Sequence, residues 1–247
     1  MATPTVNVGV LALQGSFREH MKLLQGLPGV LVSEIRTAEE LRSADALVIP
    51  GGESTTMALI AERLGLFPAL QEFVSAGNPC WGTCAGLIFL ANKLTAGGKE
   101  GGQKLIGGID CSVCRNFFGS QIDSFETCLP TPPCIAEQGG DDTYRAVFIR
   151  APAITDVGPD CEVLATYKLT KEELVKTQGR ESVIVAVRSK NLMATSFHPE
   201  LTSDARWHRY FVDIVRGHVA AHGPAKGAHV PQAAPKSSCR PLDMPVY

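Results

Sequence analysis

The chain has 247 residues, 45% of them hydrophobic and 19% charged, and a formal net charge of -2. Such a chain can bury a sizeable core as one large domain or two small ones, and its charge excludes the basic footprint of a nucleic-acid or anionic-membrane binder. No apolar run approaches a membrane span, the N-terminus lacks a basic start followed by a long hydrophobic block, and eight irregularly spaced cysteines fall short of a disulfide scaffold, so a cytosolic protein with free thiols is expected.

Val6 to Leu13 is a mostly apolar, β-rich run that predicts a strand buried on both faces. Gln14-Gly15-Ser16 turns it into a helix through Glu19, Leu23 and Leu24, with Ser16 as the expected cap and Gly26 or Pro28 as the stop. A strand over 30–35, a short helix over 38–42 capped by Thr37, and a strand over 46–49 follow. Pro50-Gly51-Gly52-Glu53-Ser54-Thr55-Thr56 then leads into a helix, and the glycine pair frees backbone N–H groups for an anion or oxyanion. A further helix over 67–75 and a short strand over 79–81 complete the first half. The β–α alternation predicts an α/β fold, doubly wound, with a mostly parallel sheet and helices on both faces.

The strand ending at Trp81 runs into Gly82-Thr83-Cys84-Ala85-Gly86, which reads as a nucleophile elbow carrying a thiol. The flanking glycines remove side chains that would clash in so tight a turn, and the helix start behind Cys84 favours the thiolate. The pattern alone is equally compatible with a buried cysteine ahead of a small-residue helix.

Later segments read as strands without intervening helices, which predicts antiparallel additions: 105–115, 145–149, 161–167, 183–187 and 192–197. Loops are expected at 97–102, 130–133 and 137–142, and a polar insert at 170–182. Cys111-Ser-Val-Cys114 has metal-like spacing, but no second pair completes a zinc site, so no metal is expected. An amphipathic helix over 204–218 presents Trp207, Tyr210, Phe211 and Ile214 on one face. The Pro- and Ala-rich tail beyond it has almost nothing to bury, so the reading divides the chain into a domain over 1–218 and a disordered tail over 219–247.

A thiol nucleophile needs a base and something to orient it. His198-Pro199-Glu200 offers both, because residues two apart in an extended segment project to the same side. A surface turn is the bland alternative. His20 and His208 are expected on exposed helix faces.

These motifs in this order resemble the class I glutamine amidotransferases, whose sheet is flavodoxin-like. Leu13-Gln14-Gly15, Pro50 to Thr56, Gly82 to Leu87, Arg115-Asn116 with Phe118-Gly119, Phe148 to Pro152 and Ser196 to Leu201 narrow the resemblance to the PdxT/SNO family, the glutaminase subunits of pyridoxal 5′-phosphate synthase. The resemblance implies Cys84 as nucleophile on L-glutamine, His198 as base and Glu200 as its orienting partner. It places the oxyanion on the N–H groups of Gly52 and Ala85, and substrate contacts at Gly51, Gly52, Glu53, Arg115, Ile149 and Arg150. Gln14 would lie in the region that docks and responds to the synthase subunit in a hetero-oligomeric complex. No cofactor is implied. A self-contained cysteine hydrolase and a non-catalytic regulatory subunit remain rival readings.

Overall fold

The structure, a computed structural model, describes residues 4–96, 103–115, 117–118, 124–171 and 180–225. The first half runs β1 (Val6–Leu11), α1 (Phe17–Gln25), β2 (Val30–Ile35), α2 (Ala38–Arg42), β3 (Ala46–Ile49), α3 (Ser54–Arg63), α4 (Phe67–Ser75), β4 (Cys80–Thr83) and α5 (Ala85–Leu90). The second half runs β5 (Ala91–Ala96), β6 (Ile109–Cys114), β7 (Phe125–Pro130), α6 (Pro133–Ala136), β8 (Thr143–Phe148), β9 (Ala153–Val157), β10 (Glu162–Lys168), β11 (Ser182–Ser189) and β12 (Leu192–Thr195). A 3-10 turn over Pro199–Leu201 and the helix α7 (Arg206–His222) follow.

The sheet order is β2-β1-β3-β4-β12-β11-β9-β6-β5, with β10 added to β11, while β7 and β8 form a separate antiparallel pair. From β2 to β12 every pairing is parallel. The antiparallel additions begin at β11. Alternation along each central strand feeds two cores: Ala46 and Val48 face one, Leu47 and Ile49 the other. Leu24 of α1 and Phe211 of α7 close the first face, and Met57, Leu70 and Leu87 of α3, α4 and α5 close the second. The expected doubly wound architecture is the observed one.

Three strands and a helix escaped the sequence reading. β5, β7 and β9 are short and half-exposed in part, and in β7 most side chains face solvent or sit at intermediate depth. α6 is a single turn started by Pro133. The last helix continues past His218 to His222, because Val219-Ala220-Ala221 are compatible with helix and the stop comes only at Gly223, whose φ is 81°. Gly217 interrupts nothing. The loop at 137–142 is pinned by Arg206, which donates to the Asp141 carbonyl at 2.7 Å and to the Thr143 carbonyl at 2.8 Å. The 97–102 loop, Asn116, Gly119, positions 172–179 of the insert and the tail from 226 lie outside the described residues.

Candidate active site

β4 lies between β3 and β12, parallel to both, so the segments leaving the three strands emerge at one edge of the sheet. Those segments are Cys84, Pro50-Gly51-Gly52 and His198. Cys84 caps α5 at φ 48° and ψ -100°, a conformation that costs on the order of 1–3 kcal/mol and persists only where surroundings enforce it. Its N–H is held by the Thr195 carbonyl of β12 at 2.8 Å. The two flanking glycines have a steric reason: a Cβ on Gly82 would strike the Gly86 carbonyl group, and one on Gly86 would strike the Ile49 carbonyl. The elbow expected from sequence is present, with its cysteine buried.

His198 Nδ1 lies 2.7 Å from Glu200 Oε1, and both side chains are buried. Glu200 reaches back from the 3-10 turn rather than along an extended strand, the geometry anticipated from Pro199. The imidazole rests against Gly51, where any Cβ would overlap His198 Cε1. Nε2 is buried with no conventional hydrogen bond among the described residues, on the side of the ring that serves Cys84. Burial alone would lower the proton affinity of His198, but negative charge on Cys84 and the Glu200 carboxylate outweigh it and push the pKa up to about 10. For Glu200, burial works against ionisation, yet His20, His198 and Ser16 hold the carboxyl below its ordinary range. The arrangement is suited to holding a thiolate beside an imidazolium.

Around Cys84 one cleft is lined by Gly52, Glu53, Ala85, Arg115, Ile149 and Arg150, whereas Gly51, also expected at the substrate, packs against the His198 ring and does not line it. The Ile149 carbonyl lies 3.9 Å from Cys84 Sγ, and Arg150 is held at φ 46°, a second strained position beside the thiol. The Glu53 carboxylate accepts from the N–H groups of Thr55 and Thr56, capping α3, and also meets Arg115 Nη2 at 3.4 Å. Gln14 Oε1 accepts from the Glu53 N–H at 2.8 Å, so the N-terminal turn touches the glycine turn directly.

Two expectations fail here. Ser16 does not cap α1 with its side chain; its hydroxyl donates instead to Glu200 Oε1 at 2.6 Å. His20 and His208 are not on exposed faces but fully buried, with His20 Nε2 3.3 Å from Glu200 Oε2. Helical spacing carried the missed signal. His20 lies one turn from buried Leu24, and His208 shares its stripe with Phe211, Val212 and Val215.

Residues 10–216 match the SNO glutamine amidotransferase family. This chain belongs to that family. Among similar proteins is the one named probable pyridoxal 5′-phosphate synthase subunit PDX2 from Arabidopsis thaliana, 56% identical over 222 residues that cover 85% of this chain and 86% of that protein. Pyridoxal 5′-phosphate synthase subunit PdxT from Dehalococcoides mccartyi is 46% identical over 211 residues, covering 85% and 98%. A solved structure titled as a glutamine amidotransferase is 39% identical with a TM-score of 0.68, covering 84% of this chain and 98% of that one. The SNO family match spans the elbow, the glycine turn and the His198 segment alike.

Proposed function

We propose that this chain hydrolyses L-glutamine to L-glutamate and ammonia and hands the ammonia to a pyridoxal 5′-phosphate synthase subunit in the cytosol. The observation that carries the reading is the strained thiol of Cys84 beside an imidazole whose far nitrogen is held by a buried carboxylate. The names of the similar proteins supply the synthase context.

In this reading the Cys84 thiolate attacks the γ-carboxamide carbon of glutamine. The carbonyl oxygen becomes an oxyanion between the N–H groups of Gly52 and Ala85, each donor being worth roughly 3–4 kcal/mol of transition-state stabilisation where such donors have been removed from hydrolases. Collapse breaks the C–N bond, and His198 Nε2–H protonates the departing nitrogen, leaving a γ-glutamyl thioester and free ammonia. His198 then takes a proton from water, whose oxygen attacks the thioester and releases glutamate and the thiol. Glu200 keeps the ring oriented and stabilises its charged form. Arg115 and Arg150 are suited to clamping the α-carboxylate of free glutamine, and Glu53 to meeting its α-ammonium. Ammonia is protonated once it reaches bulk water, so its use requires a docked acceptor; Gln14, fixed to the oxyanion turn, is where docking would register.

The test is ammonia release from glutamine by the purified chain, alone and with the synthase subunit, against Cys84→Ala. Stimulation by the synthase that disappears in Cys84→Ala supports the whole reading. Unstimulated activity lost in that variant keeps the thiol chemistry but points to a free-standing hydrolase, and silence in both mixtures favours a regulatory subunit.

A further inference from the structure

The carboxylate behind His198 is itself held from behind. Glu200 Oε1 is saturated by Ser16 and His198, and Oε2 has no conventional hydrogen-bond donor among the described residues. His20 Nε2, from the first turns of α1, lies 3.3 Å from Oε2. His20 Nε2 also lies 3.1 Å from Thr83 Oγ1, and its Nδ1 lies 2.9 Å from His208 Nε2 on α7. Both rings are fully buried against Trp81, with centroid distances of 5.5 Å and 4.9 Å in edge-on geometry.

Proton placement in this chain follows from elementary electrostatics. Two ring nitrogens 2.9 Å apart share one proton, since two N–H groups or two lone pairs would repel. If that proton belonged to His20 Nδ1, Nε2 could accept from the Thr83 hydroxyl at 3.1 Å, but its lone pair would still lie 3.3 Å from an anionic oxygen. If it belongs to His208 Nε2, His20 Nδ1 accepts it and Nε2 carries the proton that faces Glu200. His208 Nδ1 is then an unpartnered acceptor in an aromatic wall, consistent with its having no hydrogen bond. We infer that His20 and His208 form a neutral imidazole pair that positions the Glu200 carboxylate, and through it the His198 ring, for the thiol. Burial lowers the proton affinity of both rings and outweighs the opposing pull of the Glu200 carboxylate, which favours the uncharged pair. The titratable groups around His20 are Glu200 and His198 after β12, His208 on α7, and Glu19 on α1 itself.

This inference rests on the proposed glutaminase reading and adds to it a second layer of positioning residues. The experiment compares His20→Gln with His20→Asn in the full chain with the synthase subunit present. Gln places an amide N–H near the Nε2 position, toward Glu200. Asn places one only near Nδ1, toward His208. We expect Asn to lower kcat for ammonia release about 10-fold, the scale of a polar contact to a buried charge, with KM for glutamine within about twofold. Gln should recover most of that loss. Alkylation of Cys84 by iodoacetamide should be slower at a given pH in Asn than in Gln, because a poorly held carboxylate supports the imidazolium less. A packing role alone would alter melting temperature and leave the alkylation profile of folded protein in place. Equal kcat and equal alkylation profiles for Gln and Asn overturn the inference while Cys84→Ala still abolishes activity. If wild-type and Cys84→Ala release ammonia equally, the glutaminase reading falls and this inference with it.

Discussion

The hydroxyl of Ser16 donates to Glu200 Oε1 at 2.6 Å, the same oxygen that lies 2.7 Å from His198 Nδ1. The residue in the helix-cap position thus serves the carboxylate instead of the helix. Ser16→Ala should therefore lower kcat for ammonia release by about tenfold, in keeping with a lost hydrogen bond to a buried charge. The stability of α1 should hardly change, since no cap is removed. Steady-state kinetics and a thermal melt check both halves; a large loss of stability with unchanged kcat would reverse the assignment.

Two glycines at the site should fail differently. Gly51→Ala pushes a methyl group into the His198 ring, which can rotate away only by leaving Glu200, so activity should fall at least about 100-fold in a folded protein. Gly86→Ala instead meets the Ile49 main-chain carbonyl, which cannot swing aside, so the fold itself should weaken by about 1–3 kcal/mol. Circular-dichroism melts alongside glutaminase rates separate the two outcomes.

Arg115→Ala should raise KM for glutamine roughly tenfold with a smaller effect on kcat, as expected for a group that binds the unreacting end of the substrate. Arg115 also meets Glu53 Oε1 at 3.4 Å, so Arg115→Lys should recover part of the charge but not the fork geometry. A kcat effect with unchanged KM would remove Arg115 from substrate recognition.

The pH dependence of stability has opposite signs at the two partners. For Glu200, burial opposes ionisation, but His20, His198 and Ser16 bring the pKa from 4.5 to about 2, so its contribution is complete above pH 4.5 and is lost as pH falls toward 2. For His198, burial lowers and Cys84 with Glu200 raises, from 6.5 to about 10, so its contribution is complete below pH 6.5 and is lost as pH rises through 10. The melting-temperature gap between wild type and Glu200→Gln should close toward pH 2, and the gap to His198→Asn should close toward pH 10. Gaps independent of pH would contradict the charged pair.

Ala225 N–H donates to Asp45 Oδ1 at 2.6 Å, beside the start of β3. We propose that the functional domain ends near there and that the Pro- and Ala-rich stretch beyond it contributes nothing to the chemistry. Deleting residues 226–247 should leave melting temperature and ammonia release unchanged, and a loss of either would extend the domain.

The parallel half of the fold was legible because β1, β3 and β12 are buried along their whole length and its helices carry local start signals. The capping box of Thr37 and Glu40 is one example. The elbow and the His198 segment were legible because their glycines and proline have steric work to do. β7 was not, because a strand of a separate two-stranded pair with solvent on one side carries polar residues that read as loop. The inward turn of His20 and His208 was hidden for another reason. Each lies on the buried stripe of its helix, which spacing alone could show, but the partner imidazole and the carboxylate that make burial of a polar ring tolerable are distant in sequence.

The placement of β4 between β3 and β12 also has a consequence for biosynthesis. Thr83 pairs with Thr195, and Cys84 is tied to the Thr195 carbonyl, so thiol and imidazole meet only after a strand more than 100 residues downstream has docked. A ribosome must deliver most of the polypeptide before the elbow acquires its histidine. Closing that long loop is expected to be among the slower folding steps.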